Sequence, residues 1–184
     1  MKEPCMGAIL LAEPFLKDPH FMRSAVLIIR HSDWFGSLGF ALHKKLKTPL
    51  KDMVKELSDW DTAVYLGGPM EKDTLHYLHQ YPQYFDDAVE ICEGVYWGGD
   101  FEKMKKLISE GKIEKNKIKF FLGYSGWDVG QIEEEQKENS WIITTATQKI
   151  IFNTMEKEIW STCLKEMGGA YKQMINYPID PQLN

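Results

Sequence analysis

The chain has 184 residues, of which 43% are hydrophobic and 27% are charged, as in ordinary globular proteins. Its net charge of −5, without any cluster of basic residues, disfavours direct binding to nucleic acid or anionic lipid. Its three cysteines, Cys5, Cys92 and Cys163, lie far apart in the sequence and predict no disulfide framework, which fits a reducing cytoplasm.

The N-terminal segment predicts neither a signal peptide nor a membrane anchor. Its apolar run, residues 6–12, ends at Glu13 and Pro14 and carries no small-residue cleavage site. No stretch of the chain has the ~20 apolar residues that a membrane helix needs. The sequence also lacks internal repeats and linkers, so we expect one cytoplasmic domain over residues 1–184.

Residues 1–68 predict four strands and one helix. The apolar run 6–12 and the β-branched run 23–31 predict strands, the second of them buried on both faces. Residues 36–44 predict a strand that forms a hairpin with the second one. Apolar residues at helical spacing then predict a helix over 48–57, and residues 62–68 predict a further strand.

The middle of the chain predicts two extended segments and a capped helix. Residues 74–79 and 88–96 have the composition of strands. Asp100 is a favourable N-cap for a helix over 101–110, and Gly111 is a favourable residue to end it.

The last third predicts three strands and two helices. Residues 118–126 predict a strand, after which Asp128 is expected to cap a helix through about Glu138. Residues 141–146 and 148–152 predict two short strands. The sequence then predicts a helix that begins at Asn153 and ends at Gly168 and Gly169. An extended C-terminal strap is predicted at 176–184.

The order of these elements decides the fold class. Strands come in runs with isolated helices between them, so the strict βαβ alternation of a doubly wound parallel sheet is absent. We therefore predict an α+β fold, in which a mixed, largely antiparallel sheet is curled and covered by a few helices.

Residues 123–127, GYSGW, come close to the nucleophile elbow of hydrolases, G-x-S-x-G. Trp127 stands where that elbow needs glycine, because the backbone folds sharply beside the nucleophile. Glu133 and Glu135 also fail as an acid pair, since residues two apart on a helix face different ways. These patterns favour a non-catalytic protein, and a hydrolase that uses Ser125 remains an alternative.

His76 and His79 are the only close histidine pair. On a strand they would point to opposite faces, and neither a third ligand nor a known metal-binding spacing accompanies them. The sequence predicts neither a metal site nor a cofactor. A hydrolase based on this pair is part of the same alternative.

Glycine–aromatic turns are the most distinctive local feature. They serve packing most often, but they also shape binding sites. If the turns at Gly68, Gly98 and Gly126 converge, four side chains would line one pocket. These side chains are Trp97, Tyr124, Trp127 and Gln131.

The segments YLGGPM, GVYWGGD and FFLGYSGWDVGQIEEE, with GAILLAEPF and GSLGFALHK before them, together resemble the YqgE/AlgH family of bacterial proteins. The resemblance runs from about Gly7 to Trp160, and it implies a bifurcated sheet curled into a pseudo-barrel. The sequence departs from the family pattern at residues 43–45, where the proline that is usual in the family is missing. The motif positions that become candidate ligand-binding residues are Gly67, Gly68, Pro69, Trp97, Gly98, Gly99, Asp100, Tyr124, Gly126, Trp127, Gln131 and Glu133.

The resemblance implies no reaction and no cofactor. The family's one functional label is transcriptional regulator, which the acidic charge makes plausible only through a protein partner. We therefore expect a non-catalytic domain that binds a protein or a small-molecule partner, without direct contact to nucleic acid or membrane. A regulator acting through a partner is the second hypothesis.

Overall fold

The computed structural model describes residues 2–178, which form a nine-stranded sheet and five α-helices. The strands are β1 (Ala8–Ala12), β2 (Ala25–Ser32), β3 (Gly36–Ala41), β4 (Val64–Leu66), β5 (Met70–His79), β6 (Val89–Cys92), β7 (Val95–Trp97), β8 (Ile118–Trp127) and β9 (Trp141–Thr145). The helices are α1 (Leu50–Met53), α2 (Phe101–Ser109), α3 (Gln131–Lys137), α4 (Ile159–Met167) and α5 (Gly169–Met174).

The strand order across the sheet is β6-β7-β5-β8-β3-β2-β1-β9, and β4 pairs with β8 outside this path. Every pairing among these strands is antiparallel except that of β4 with β8. Strand β8 is the branch point, because its first half pairs with β4 and β5 and its last three residues pair with β3. The predicted α+β fold with a curled, largely antiparallel sheet is confirmed.

Both faces of the sheet are covered, as the side chains of β1 show by pointing alternately to one face and to the other. Ile9 and Leu11 point into one core cluster, which also contains Val95 and Leu164, whereas Leu10 points into a second cluster beside α3. The first cluster draws side chains from both halves of the sheet, so the sheet curls around it and α4 closes it. The continuous apolar runs of β1 and β2 follow from this double burial.

Several local predictions are confirmed. The hairpin of β2 and β3 has the expected antiparallel register, with Ser32 opposite Gly36. Asp100 caps α2, since its carboxylate accepts a hydrogen bond of 2.7 Å from the backbone N–H of Lys103. Gly111, at a φ of +69°, follows the end of this helix as predicted.

The predicted helix over residues 48–57 is wrong in its length. It breaks at Val54, whose φ of −122° and ψ of 104° are extended, leaving α1 and a 3-10 turn at Lys55–Leu57. The break lets both Leu50 and Leu57 enter one core cluster with α2. Tertiary packing here outweighs the helical spacing, which a β-branched valine supports only weakly.

The predicted strand over residues 148–152 is also wrong, because Lys149–Asn153 is a π-helix. Ile150 and Ile151 are buried in it, and a short apolar run of this kind suits a strand or a helix equally well. Asn153 therefore does not open the last long helix. A 3-10 turn at Glu156–Glu158 leads into α4 instead.

Asp128 does not cap α3 with its side chain, contrary to the prediction. The residue before α3 is Gly130, at a φ of +78°, and it makes no side-chain cap. The other half of the predicted pair is present, since the side-chain oxygen of Gln131 accepts a hydrogen bond of 2.9 Å from the N–H of Asp128.

The ends of α4 and of the described chain complete the fold. Gly168 ends α4 as predicted, but a further helix, α5, follows it directly. Tyr177 stacks on Phe15 with ring centroids 5.6 Å apart. The rest of the predicted strap, residues 179–184, lies outside the described residues, and the assignment of one domain to residues 1–184 stays a prediction.

Candidate functional site

The glycine pair between β4 and β5 lies directly on the backbone of β8. A Cβ atom on Gly68 would stand 2.2 Å from the carbonyl carbon of Tyr124, and one on Gly67 would stand 2.2 Å from the carbonyl oxygen of Gly123. Side chains are therefore excluded at both positions. The two glycines fix the path of the chain over β8, and Pro69 follows them at the edge of a cavity.

Ser125 is part of the same packing and is not a poised nucleophile. Its side chain is 1% exposed, and its hydroxyl donates a hydrogen bond of 3.1 Å to the carbonyl oxygen of Gly67. A nucleophilic serine needs a basic partner within hydrogen-bond reach, and this hydroxyl is instead bound to a backbone carbonyl. The geometry gives no support to the hydrolase alternative at Ser125.

The end of β8 and the first turns of α3 build a network around one carboxylate, that of Glu135. Its Oε2 accepts hydrogen bonds from the indole N–H groups of Trp127 at 3.1 Å and Trp141 at 2.6 Å. Its Oε1 accepts a third bond, of 2.7 Å, from the side-chain amide of Gln131. Gln131 and Glu135 share a face of α3 because they are four residues apart.

This network forms one wall of a cavity of about 330 Å³, which we call the aromatic cavity. Phe21 stands against both tryptophans, with ring centroids 6.1 Å from Trp127 and 5.4 Å from Trp141. The two tryptophan rings meet edge to face at 6.1 Å. Three candidate positions line this cavity besides Trp127, namely Pro69, Gly126 and Gln131.

The aromatic cavity has a negative lining. Three carboxylates line it, those of Asp18, Glu135 and Glu138, and none of its lining residues is lysine, arginine or histidine. Within the described part of the chain, no basic nitrogen comes within 4.0 Å of Glu135. The charge of Glu135 is balanced by neutral hydrogen-bond donors alone, so the cavity favours a positively charged occupant.

The predicted four-residue pocket does not form as one cavity. Trp97 and Tyr124 do not line the aromatic cavity and lie around the ring of His76 instead, with centroids 6.3 Å and 6.2 Å from it. Trp97 also meets Phe40 edge to face in the main core. Trp127 and Tyr124 are three residues apart on a strand and therefore point to opposite faces, which separates them.

The turn at Gly98 and Gly99 serves the core around His79. The His79 ring is fully buried, and its Nε2 donates to the carbonyl oxygen of Gly98 at 3.0 Å. Its Nδ1 accepts from the N–H of Tyr81 at 3.1 Å, so both ring nitrogens have partners. Burial lowers the pKa of His79 to about 4, despite the opposing hydrogen bond to Gly98. This histidine is a neutral core residue, and Gly99 packs against Phe85.

The last candidate, Glu133, points away from the aromatic cavity. Its carboxylate lies 3.9 Å from the Nε2 of His31 on β2. Among residues 2–178, no three histidine, cysteine or acidic side chains are grouped to hold a metal ion. Every helix in that range is too short or too polar to cross a bilayer.

Sequence reasoning missed most of the lining of the aromatic cavity, including Phe21, Glu135 and Trp141, which carry its aromatic and acidic character. One local signal pointed to Glu135, because it follows Gln131 by four residues on a short helix. Trp141 begins the next strand and Phe21 lies in the loop before β2, so only the folded sheet brings them to this place.

The fold and this site define a class, an α+β half-barrel protein with an acidic cavity lined by aromatic rings. A model of the AlgH-like family matches residues 9–172. A UPF0301 protein of Cytophaga hutchinsonii is 42% identical over 97% of this chain and 98% of its own length. A UPF0301 protein of Parabacteroides distasonis is 39% identical over 98% of this chain and 92% of its own. The chain belongs to the AlgH-like family.

Two solved structures show the same fold. The crystal structure of protein DIP2367 from Corynebacterium diphtheriae matches with a TM-score of 0.80 at 19% identity, over 96% of this chain and 94% of that one. The solution structure of the AlgH protein from Pseudomonas aeruginosa matches with a TM-score of 0.73 at 22% identity, over 97% and 98% of the two chains. At these identities the likeness concerns the fold.

Proposed function

We propose that this protein is a non-catalytic binding domain whose aromatic cavity takes a small organic cation. The observation that carries the proposal is the environment of Glu135, a carboxylate held by two indole N–H groups and one amide in a cavity without a basic side chain. The ligand class is an amine or a quaternary ammonium compound with an apolar body.

The size and composition of the aromatic cavity support this ligand class. A volume of about 330 Å³ is at the lower end of the range for small-molecule sites, so it suits a compound of few heavy atoms. Aromatic rings attract cations through their negative faces, by roughly 0.5–2 kcal/mol for each favourable contact. Phe21 supplies such a ring, and Asp18 and Glu138 add charge beside it.

The test is a titration followed by the indole N–H signals in two-dimensional nuclear magnetic resonance. Choline is the probe, and 3,3-dimethylbutan-1-ol, which replaces its nitrogen by carbon, is the neutral control. We expect choline to shift the signals of Trp127 and Trp141 saturably and to bind roughly tenfold more tightly than the neutral control. Trp34, which is 84% exposed on the β2–β3 hairpin, is the internal reference and should not move.

Two variants make the result specific to the aromatic cavity. Phe21→Leu should weaken choline binding, whereas Phe35→Leu, at a ring that is 85% exposed, should leave it unchanged. Equal binding of both probes would overturn the cation preference. A titration in which neither probe moves Trp127 or Trp141 would remove the aromatic cavity as a ligand site. N-acetyl-lysine methylamide, bound more tightly than choline, would indicate a lysine side chain of a protein partner as the occupant.

We also infer that any regulatory role works through a partner and not through direct contact with DNA. The net charge of −5 and the acidic cavity both oppose a polyanion. An anisotropy titration with a labelled DNA duplex at low salt should show no binding. Salt-sensitive binding in that titration would contradict this inference.

A further inference from the structure

A second cavity, of about 270 Å³, lies at the other end of β8, beside its first residues. It is formed where β8, β4, the π-helix and the 3-10 turn at Glu156–Glu158 come together. We call it the lysine cavity, and the residues of interest in its lining are Tyr65, Lys115, Lys119, Asn153 and Glu156.

Lys119 is a buried cation with few partners. Its residue is 8% exposed, and its Nζ donates one hydrogen bond, of 3.3 Å, to the carbonyl oxygen of Ile151. The same nitrogen lies 4.2 Å from the centre of the Tyr65 ring. Among the described residues, no carboxylate oxygen lies within 4.0 Å of it. A buried ammonium without a paired carboxylate is costly, and the neutral amine is the alternative.

The surroundings increase the share of that neutral form. Burial lowers the pKa of Lys119 to about 8, although the charge of Glu156 opposes the shift. The π-helix supplies the one carbonyl that the amine contacts. Such helices are rare and occur frequently at functional sites, because they insert an extra residue that re-aims the backbone.

An acid–base pair stands beside the amine on the same cavity. The phenol of Tyr65 donates a hydrogen bond to the Oε1 of Glu156. Burial, followed by this bond to the carboxylate, raises the pKa of Tyr65, so its hydroxyl stays protonated. The lysine cavity thus combines an amine with a lone pair, a carboxylate and a phenol in one place.

We propose that Lys119 is a carbonyl-capturing amine, which forms an imine with a small aldehyde or ketone bound in the lysine cavity. The lone pair of Nζ attacks the carbonyl carbon, a C–N bond forms, and the C=O π electrons move to oxygen. A proton passes from nitrogen to that oxygen, giving a carbinolamine. The hydroxyl then leaves as water with the second nitrogen proton, and the nitrogen lone pair closes the C=N bond. No oxidant or metal is needed.

The test is reductive trapping on the full-length protein. The protein is incubated with propanal and sodium cyanoborohydride at pH 7.5, and the propylated lysines are located and quantified by peptide mass spectrometry. We expect Lys119 to be modified at least tenfold faster than the exposed Lys103, because a lowered pKa gives a much larger share of free amine. Its rate should level off above about pH 8, the pKa of this amine.

Two variants and one denatured sample complete the design. Glu156→Gln removes a nearby charge that raises the pKa of Lys119, so trapping at Lys119 at pH 7.5 should become faster, whereas Glu158→Gln, outside the lining of the lysine cavity, should leave it unchanged. In denaturant, Lys119 should lose its advantage over Lys103. Native trapping at Lys119 that is slower than at Lys103 would overturn the proposal and leave Lys119 as a sealed packing group. The wild-type comparison decides this even if a variant fails to fold.

Discussion

The aromatic cavity and the lysine cavity lie on one strand, β8, but they treat a buried charge in opposite ways. In the first, the carboxylate of Glu135 accepts three hydrogen bonds from side chains, and no basic nitrogen of residues 2–178 lies within 4.0 Å of it. In the second, the amine of Lys119 makes one long hydrogen bond and one contact with an aromatic ring. The first group is fully paired and the second is not.

This difference separates recognition from reactivity. A carboxylate held by three side-chain donors has a fixed position, so it can orient a bound ligand. A buried amine with few partners has a lowered pKa, so a larger share of it is the neutral, nucleophilic form. The following changes break or sharpen the comparison, in order of decreasing expected effect.

The largest effect is expected from Gly68→Ala, which disturbs β8, the strand that lines both cavities. The new Cβ would stand 2.2 Å from the backbone of Tyr124, which cannot move without disturbing β8. We expect a loss of about 4 kcal/mol in the free energy of unfolding, measured by urea denaturation. Gly130→Ala is the control, because its Cβ meets open space and only its φ of +78° opposes it; about 1 kcal/mol is expected there. Equal losses would contradict the steric account.

The next effect is the pH dependence of stability that His79 causes. This residue is buried and neutral, and both of its ring nitrogens are hydrogen-bonded. Burial lowers its folded pKa from 6.5 to about 4, so the unfolded chain binds a proton first as the pH falls. Stability is therefore full above pH 6.5 and falls by roughly 3 kcal/mol as the pH drops towards 4. His79→Gln should flatten this slope in chemical denaturation at several pH values, and His20→Gln, at an exposed site, should not. An unchanged slope in His79→Gln would be inconsistent with this assignment.

The third effect concerns the donors around Glu135. Glu135→Ala leaves the indole N–H groups of Trp127 and Trp141 without their acceptor, so we expect a loss of about 2 kcal/mol in unfolding free energy. Glu134→Ala, at the exposed neighbouring position, should cost under about 0.5 kcal/mol. The loss should be accompanied by changed indole signals of the two tryptophans. If Glu135→Ala were as stable as Glu134→Ala, the network would not be a structural unit.

The smallest effect is a gain in stability from Lys119→Met. The thioether fills the same space without a charge, so we expect about 1 kcal/mol more unfolding free energy at pH 7. The gain should shrink as the pH rises from about 8 to 10.5, since the wild-type amine then becomes neutral in the folded state before the unfolded one. Lys103→Met, at an exposed position of α2, is the control and should change the unfolding free energy at pH 7 by less than about 0.5 kcal/mol. A loss of stability at pH 7 would mean that the contact with Tyr65 outweighs burial.

Much of the fold follows from local patterns. The hairpin of β2 and β3, the capped helix α2 and the strand β8 were all predictable, because a dense apolar run, a capping aspartate and a helix-ending glycine act over few residues. The family motif was readable as well. Its glycines, however, were expected to shape one pocket, and Gly67 and Gly68 turn out to fix the packing of β4 and β5 on β8.

The errors fall where local preference is weak. Residues 148–152 contain an apolar run that fits a strand or a helix. In the folded protein this run packs against the core as a π-helix. Tyr124 and Trp127 were assigned to one pocket, although their odd spacing on β8 sends them to opposite faces. That spacing was available in the sequence, but the sheet register had to be known before it could be used.

The sequence by itself determined where most of the strands and the capped helix α2 lie, and with them the α+β class. Only the tertiary structure decided that Phe21 and Trp141 meet at Glu135, and that Lys119 reaches the carbonyl of Ile151. The physical reason is range. Periodicity and capping are set by neighbours within one or two turns of chain, whereas these contacts depend on which strands pair and in what register. Strand pairing is settled by the summed burial of the whole sheet, so no short segment encodes it.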